Sequence, residues 1–391
     1  MNSEIVLGLP DYEISDIERT AGMIRISARY TGPVKCPHCS SMKLRSKGLY
    51  QRRVRHESWG MRRCELHLEG RKWLCRDCGR QFRQRFPGLL KGQRATEHFR
   101  EMIFTRHWDG ISRSRLAERE RIGSATVERY FLYFLGRYAA ERSGAACPQI
   151  LGIDEHFFSR RQGYATTLCD LKKHNVFDVV LGRSEASLES YFNRLQGKNL
   201  VQVVCMDLAS CYRALVRKHF PQALIVADRF HVIRLLNQHF LAVWKLLDPE
   251  GAKNRGLLSL IRRHPRNLSP EQRPKLAAYL ALHPALESVY RFKQRLCHLL
   301  LIKHRTARQC RKLAPRLLRS IVDLRASGFA PLHTLGATMA SWAEEIARMW
   351  RFTRNNGITE GFHTKMELLQ RQAYGFRNFD NYRLRVRVLC S

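Results

Sequence analysis

Long apolar runs are missing from this 391-residue chain. No uninterrupted stretch approaches the ~18 residues that a spanning helix needs, and no apolar leader core follows Met1. Those absences argue against a membrane channel or anchor and predict a cytoplasmic protein. Acidic residues are also scarce, 34 Asp and Glu against 69 Lys and Arg, which leaves a formal charge of +35. Such an excess favours a polyanionic partner through phosphate neutralisation and counterion release, with nucleic acid the leading candidate. Internal repeats and low-complexity tracts are absent, so neither a solenoid nor a biased disordered tail is expected. What is present is core material: 44% hydrophobic and 10% aromatic residues, over a length that suits two or three domains.

The location of the charge carries more than its sum. Residues 35–94 hold 17 basic and 4 acidic side chains, and residues 232–350 hold 21 and 7. Residues 148–231, with 11 basic and 8 acidic, are nearly balanced. Basic flanks around a balanced centre are what a protein needs if its flanks hold DNA and its centre holds metal, whereas solubility alone favours no sign or region.

Twelve cysteines would suggest disulfides in a secreted chain, but in a reducing compartment their paired spacing reads as metal ligation. Cys36-Pro-His-Cys39 and Cys75-Arg-Asp-Cys78 are two Cys-x-x-Cys knuckles, separated by an arginine-rich stretch with strand-like alternation around Cys64-Glu-Leu-His-Leu68. Each knuckle supplies two thiolates to one tetrahedral Zn²⁺, and a hairpin between them would bring the pairs together as a zinc ribbon. His38, His56, Cys64 and His67 are spare candidates beside Cys36, Cys39, Cys75 and Cys78.

Residues 94–142 read as helices. Phe99, Met102, Ile103 and Phe104 recur at helical spacing, a second helix follows near Ser112–Arg119, and Ile122-Gly123 turns into a third from Ser124, a candidate N-cap. Leu116, Ala117, Ile122, Val127 and Phe131 fall where a helix-turn-helix buries its contacts. That leaves Ser124, Ala125, Thr126, Glu128 and Arg129 to face a major groove. An ordinary helical hairpin is the alternative.

After a linker-like stretch at 144–148 the pattern turns to β. Ile150-Leu-Gly-Ile-Asp154, Leu200-Val-Gln-Val-Val-Cys-Met-Asp207 and Ala223-Leu-Ile-Val-Ala-Asp228 are apolar runs that each end in aspartate, with further strands expected at 164–169 and 176–181. The order predicts a mixed sheet with helices on its faces. Strand signals stop at Val232, and an all-helical, arginine-rich insertion extends to about Phe352. Asn355-Asn-Gly-Ile-Thr-Glu360 then opens another helix with an apolar stripe of Ile358, Phe362, Met366 and Leu369. The resulting domains are 1–90, 91–145, 148–231, 232–352 and 353–391, a multidomain α+β protein.

Cutting or joining a phosphodiester requires in-line attack while charge builds on the phosphoryl oxygens, and two Mg²⁺ (or Mn²⁺) ions ~3.5–4 Å apart do both jobs when carboxylates hold them. Asp154 and Asp207 would sit side by side at the ends of adjacent strands, and Glu360 on a covering helix could complete the cage. Asp228 competes for the third position, and His231 could orient it, contact phosphate, or pair with it as a cap.

The order zinc ribbon, helical trio, Gly-Ile-Asp154-Glu155, Cys-Met-Asp207, Ala-Asp228-Arg-Phe-His231, helical insertion, Asn355-Asn-Gly-Ile-Thr-Glu360-Gly and Tyr374-Gly-Phe-Arg-Asn378 resembles the ISL-three family of insertion-sequence transposases over nearly the whole chain. The resemblance implies a ribonuclease-H-like core interrupted by the helical insertion, with Asp154, Asp207 and Glu360 as its DDE triad. It implies a nucleoid-associated bacterial enzyme that acts as a homodimer or higher oligomer on element ends and target DNA. A catalytically inert DNA-binding regulator and a ribonuclease-H-like host nuclease are the competing expectations.

Overall fold

Strict alternation builds the first sheet. The computed structural model describes residues 7–141, 146–352, 357–373, 375–376 and 378–390, without the side chains of 357–360. It divides into two units, Met1–Ala140 and Glu141–Ser391.

In the first unit, strands β1 (Tyr12–Arg19), β2 (Met23–Tyr30), β3 (Leu44–Trp59) and β4 (Arg62–Cys75) line up in the order β1-β2-β4-β3, and β5 (Gln81–Arg83) pairs with β4. Ile24, Ile26 and Ala28 of β2 and Cys64, Leu66 and Leu68 of β4 point to one side, where they are buried together with Val54 and Phe86. The β3–β4 hairpin sets Leu44 opposite Cys75, so the stretch between the two knuckles folds back on itself and closes the distance that the sequence opens.

Three helices follow: α1 (Glu97–Trp108), α2 (Arg113–Glu120) and α3 (Ser124–Glu141). Thr96 and Ser112 cap the first two by accepting from Phe99 N–H and Arg115 N–H. Arg121, with φ of 50°, ends α2 in the left-handed region. Ser124 is the first residue of α3 and not its cap; the Gly123 carbonyl accepts from Thr126 and Val127. Phe99, Ile103, Leu116, Val127 and Tyr130 form the core of the trio. Glu120 is 1% exposed and locks the trio to the sheet. It accepts from Arg106 Nη1 at 2.8 Å, from Arg55 Nη2 at 3.3 Å and from Ser58 Oγ at 3.1 Å.

The second unit is built on β6 (Ile150–Ser159), β7 (Gly163–Asp170), β8 (Asn175–Leu181), β9 (Val203–Met206) and β10 (Leu224–Ala227), in the order β10-β9-β6-β7-β8. The β6-β7-β8 run is antiparallel, while β9 and β10 are parallel to β6. All four residues of β9 are buried, as a parallel strand covered on both faces requires. Helices α4 (Glu185–Arg194) and α5 (Ser210–His219) make the crossovers into β9 and β10.

Seven helices then run from Arg229 to Arg348: α6 (Arg229–Leu247), α7 (Arg255–Arg262), α8 (Gln272–Ala281), α9 (Pro284–Leu301), α10 (Ala307–Ala326), α11 (Ala330–Ser341) and α12 (Ala343–Arg348). Helices α6 and α9–α12 share a core with the sheet, in which Ile153, Met206, Val232, Leu296, Leu335 and Trp350 are buried together, while α7 and α8 pack in a second core around Phe240 and Trp244. Buried Arg229 fastens the layer by donating from Nε to Leu300 O at 3.1 Å. The other face of the sheet is covered by α13 (Gly357–Gln372) and α14 (Phe379–Leu389), whose Phe362, Met366, Tyr382 and Val386 pack on Cys169, Val179 and Cys205. Among the described residues, no helix is long and apolar enough to cross a membrane.

Removing the Glu120 carboxylate would leave Arg55 and Arg106 facing each other at a half-dried joint. Glu120→Ala is expected to cost the first unit about 2–3 kcal/mol in denaturant unfolding, below the value for a fully buried pair because both arginines reach solvent. A loss under about 0.5 kcal/mol, the range of ordinary surface substitutions, would contradict this role.

Candidate active site and metal centre

The register of three parallel strands creates the acidic site. Ile153 of β6 and Ala227 of β10 both pair with Met206 of β9, and each of the three is followed by an aspartate. Asp154, Asp207 and Asp228 are thereby brought to one edge of the sheet. Asp154 is 4% exposed and Asp228 1%.

Asp228 occupies the N-cap position of α6, yet its side chain makes no capping bond. Instead it accepts from His231 Nδ1 at 2.6 Å. The same nitrogen lies 2.9 Å from Asp207 Oδ1. An imidazole nitrogen carries one proton, and here it is directed at Asp228, so among the described residues Asp207 Oδ1 is left buried without a hydrogen-bond donor. Burial, and next the charge of Asp207, push Asp154 up to about 7. Burial opposes charging of His231, but the adjoining Asp207 and Asp228 carboxylates outweigh it and raise the ring to about 10.

Ligand atoms of Asp154, Asp207 and His231 lie within 4.8 Å of one another. A buried carboxylate oxygen lacking a donor, beside a second carboxylate that resists ionising alone, suits a hard divalent cation. The residues present therefore fit a Mg²⁺ or Mn²⁺ site.

Glu360 lies on α13, but its side chain is outside the described residues. Three residues further along that helix, His363 Nδ1 stands 4.0 Å from Asp154 Oδ2. His363 Nε2 is 3.2 Å from Thr167 Oγ1, which is 2.9 Å from His156 Nδ1. Burial lowers His156 to about 3 and His363 to about 4, so both rings are neutral. Together with Phe157 and Met366 they line a cleft of about 580 Å³. Sequence reasoning missed these histidines. The available signals were the two-residue offset of His156 from Asp154 on a strand, which places both on one face, and the three-residue offset of His363 from Glu360 on a helix.

The four knuckle cysteines converge as well, with Cys36 Sγ 3.7 Å from Cys78 Sγ and Cys39 Sγ 3.5 Å from Cys75 Sγ. A tetrahedron with Zn–S bonds of ~2.3 Å has edges of ~3.8 Å, so the cage already has the size of a zinc site. Hydrogen bonds from backbone N–H groups, that of Cys78 foremost, draw the Cys75 thiol down to about 6 and favour the thiolate that zinc needs. The spare candidates are engaged elsewhere. Cys64 is in the sheet core, His56 bonds Thr96 Oγ1 at 2.9 Å, His67 bonds Glu65 at 2.7 Å, and His38 lies 3.0 Å from Arg80 Nη1.

At the start of α3, Ser124, Ala125 and Arg129 are exposed, Thr126 and Glu128 are half-buried, and Val127 is buried. Arg129 donates to Thr126 Oγ1 at 3.0 Å, and Glu128 pairs with Arg113 at 2.6 Å.

A family model of the ISL3 DDE type, described as a transposase, matches residues 151–386. A second, described as the zinc-finger of transposase IS204/IS1001/IS1096/IS1165, matches residues 32–78. The chain is similar to the transposase for insertion sequence element IS1001 of Bordetella parapertussis, at 24% identity over 364 residues, which covers 90% of this chain and 88% of that protein. It is also similar to the transposase for insertion sequence element IS1557 of Mycobacterium tuberculosis, at 24% identity over 258 residues, 58% of this chain and 57% of the other.

Elemental analysis of the purified protein is expected to find about one Zn²⁺ per chain, and Cys75→Ser should lose it and unfold the ribbon. Zinc-free protein with an intact ribbon would contradict the four-sulfur site.

Proposed function

Since this chain belongs to the ISL3 family of insertion-sequence transposases, we propose that it binds the ends of its element, cleaves them, and transfers the freed strands to target DNA at a centre formed by Asp154, Asp207 and Glu360. The observation that carries this reading is Asp207 Oδ1, buried without a donor among the described residues where β9 ends, beside Asp154, which lies within β6 and not at its end as the sequence suggested. Bound there, Mg²⁺ would supply activation of the attacking oxygen and charge stabilisation at the leaving oxygen. The mixed five-stranded sheet, with Asp154 within β6 and Asp207 and Asp228 just past β9 and β10, and helices on both faces, supports a ribonuclease-H-like core.

Glu360 is proposed as the third carboxylate because residues three apart share a helix face, and His363 already faces Asp154 from that helix. Asp228 holds His231 and takes an auxiliary role. While no cation balances Asp154 and Asp207, the His231 imidazolium supplies local positive charge.

The remaining parts handle DNA. The α2–α3 pair acts as a helix-turn-helix, with Ser124, Thr126, Glu128 and Arg129 offered to base edges. Phosphates are met by the arginine-rich β3–β4 region and by the insertion. On α10, Arg308, Arg311, Lys312, Arg316 and Arg319 are all exposed and Asp323 is the sole acid. Such a stripe positions DNA without reading its sequence. The enzyme is proposed to work as a dimer or larger assembly on paired ends.

Asp154→Asn, Asp207→Asn and Glu360→Gln should each lower cleavage of element-end DNA by at least ~10³-fold, about 4 kcal/mol of transition-state stabilisation, while end binding in a shift assay stays near normal. Mn²⁺ should replace Mg²⁺, and Ca²⁺ should permit binding without turnover. An Asp228→Asn enzyme that is dead beside an active Glu360→Gln enzyme would move the third ligand to β10. Retained cutting in all four variants would place the chemistry elsewhere.

Base readout has its own test. Arg129→Ala is expected to relax end preference by about 1–3 kcal/mol without changing the salt slope of non-specific binding. Unchanged preference would remove α3 from the groove.

A further inference from the structure

Behind Asp154, four side chains outside the carboxylate cluster form one hydrogen-bonded line across α14, β6, β7 and α13. Tyr382 OH is 2.8 Å from His156 Nε2, and His156 Nδ1 is 2.9 Å from Thr167 Oγ1. Thr167 Oγ1 is 3.2 Å from His363 Nε2, and His363 Nδ1 faces Asp154 Oδ2 across 4.0 Å. Thr167 and Tyr382 are both 0% exposed.

Each neutral imidazole carries a single N–H, and the Thr167 hydroxyl a single proton. Among the described residues, the side-chain partners of that hydroxyl are the two rings; Tyr212 OH bonds the neighbouring Thr166 instead. Thr167 therefore gives its proton to one ring and accepts from the other, which allows two directions for the line. If His156 gave to Tyr382, Thr167 would give to His156, His363 would give to Thr167 through Nε2, and a bare Nδ1 lone pair would face the Asp154 carboxylate. In the opposite direction Tyr382 gives to His156, His156 to Thr167 and Thr167 to His363 Nε2, which puts the proton on Nδ1, toward Oδ2. The carboxylate form of Asp154, the form that binds a cation, selects the second direction.

We propose that Tyr382, His156 and Thr167 are positioning residues that set the tautomer of His363, so that its Nδ1–H steadies Asp154 Oδ2 and holds the carboxylate in its cation-binding orientation. Asp154 Oδ1 already accepts from Glu155 N–H at 2.8 Å. With Glu155 N–H bonded to Oδ1 and the His363 N–H aimed at Oδ2 across 4.0 Å, the carboxylate is biased toward one orientation and its remaining lone pairs are left for the cation. The proposal rests on Asp154 being a metal ligand.

The test is Mn²⁺ binding to the full-length, zinc-loaded protein, read by electron paramagnetic resonance of the free ion. Thr167→Val and Tyr382→Phe should each weaken Mn²⁺ binding by about tenfold, the usual scale for outer-shell partners of metal ligands, and Thr167→Ser should restore it. Thermal unfolding and end binding should stay as in the parent protein. In ¹⁵N-histidine spectra, His363 should carry its proton on Nδ1 in the parent and shift toward Nε2 in Tyr382→Phe. Parent-like Mn²⁺ affinity in Thr167→Val and Tyr382→Phe, or an Nε2–H His363 in the parent, would overturn the relay. Asp154→Asn should abolish binding; parent-like binding in that variant would instead bring down the carboxylate-site reading on which the relay rests.

Discussion

Like charges crowded at a dry sheet edge are the constraint on which the second unit is organised. Three parallel strands in register put Asp154, Asp207 and Asp228 together where water is scarce. Burial penalises the charged form of Asp154 and the nearby Asp207 charge adds to it, which is why Asp154 is held up to about 7. His231 relieves the charge only in part. Its Nδ1 proton satisfies Asp228, and Asp207 Oδ1 stays without a donor among the described residues. A site balanced in this way is stable enough to fold and still has a strong demand for a cation.

The surrounding layers sustain that demand. Helices α6 and α9–α12 cover one face of the sheet, and α13 with α14 cover the other. Arg229, next to Asp228, binds the carbonyl at the end of α9, so the start of α6 is tied to the insertion it begins. After more than a hundred residues of helix the chain returns to the sheet through α13, which sets His363 at Asp154. The acidic edge is thus shaped by segments far apart in sequence, and the electropositive stripe on α10 belongs to the same unit that carries the acids.

What the sequence disclosed depended on whether the signal was local. Apolar runs ending in Asp154, Asp207 and Asp228 follow from strand burial, and the Cys-x-x-Cys spacing follows from tetrahedral ligation. Both patterns are written within a few residues. The long β3–β4 hairpin was foreseeable because the knuckles had to meet. Thr167 and Tyr382 gave no such signal, since their place in the line depends on β6–β7 register and on where α14 docks. His231 could have served Asp228 as part of a cap, and only side-chain geometry shows a direct bond with no cap bond formed. The loss of strand signals after Val232 marks where helices take over, but it says nothing of Trp350 sharing a core with Ile153, because burial partners so distant leave no periodicity. Glu360 stays a matter of spacing from His363.

The most direct measurement is anomalous diffraction from crystals of the protein with element-end DNA soaked in Mn²⁺. The account predicts strong manganese density between Asp154 and Asp207, in contact with Asp207 Oδ1, with Asp228 still bonded to His231. Manganese absent from that edge, or bound by Asp228 and His231 without Asp154, would contradict it.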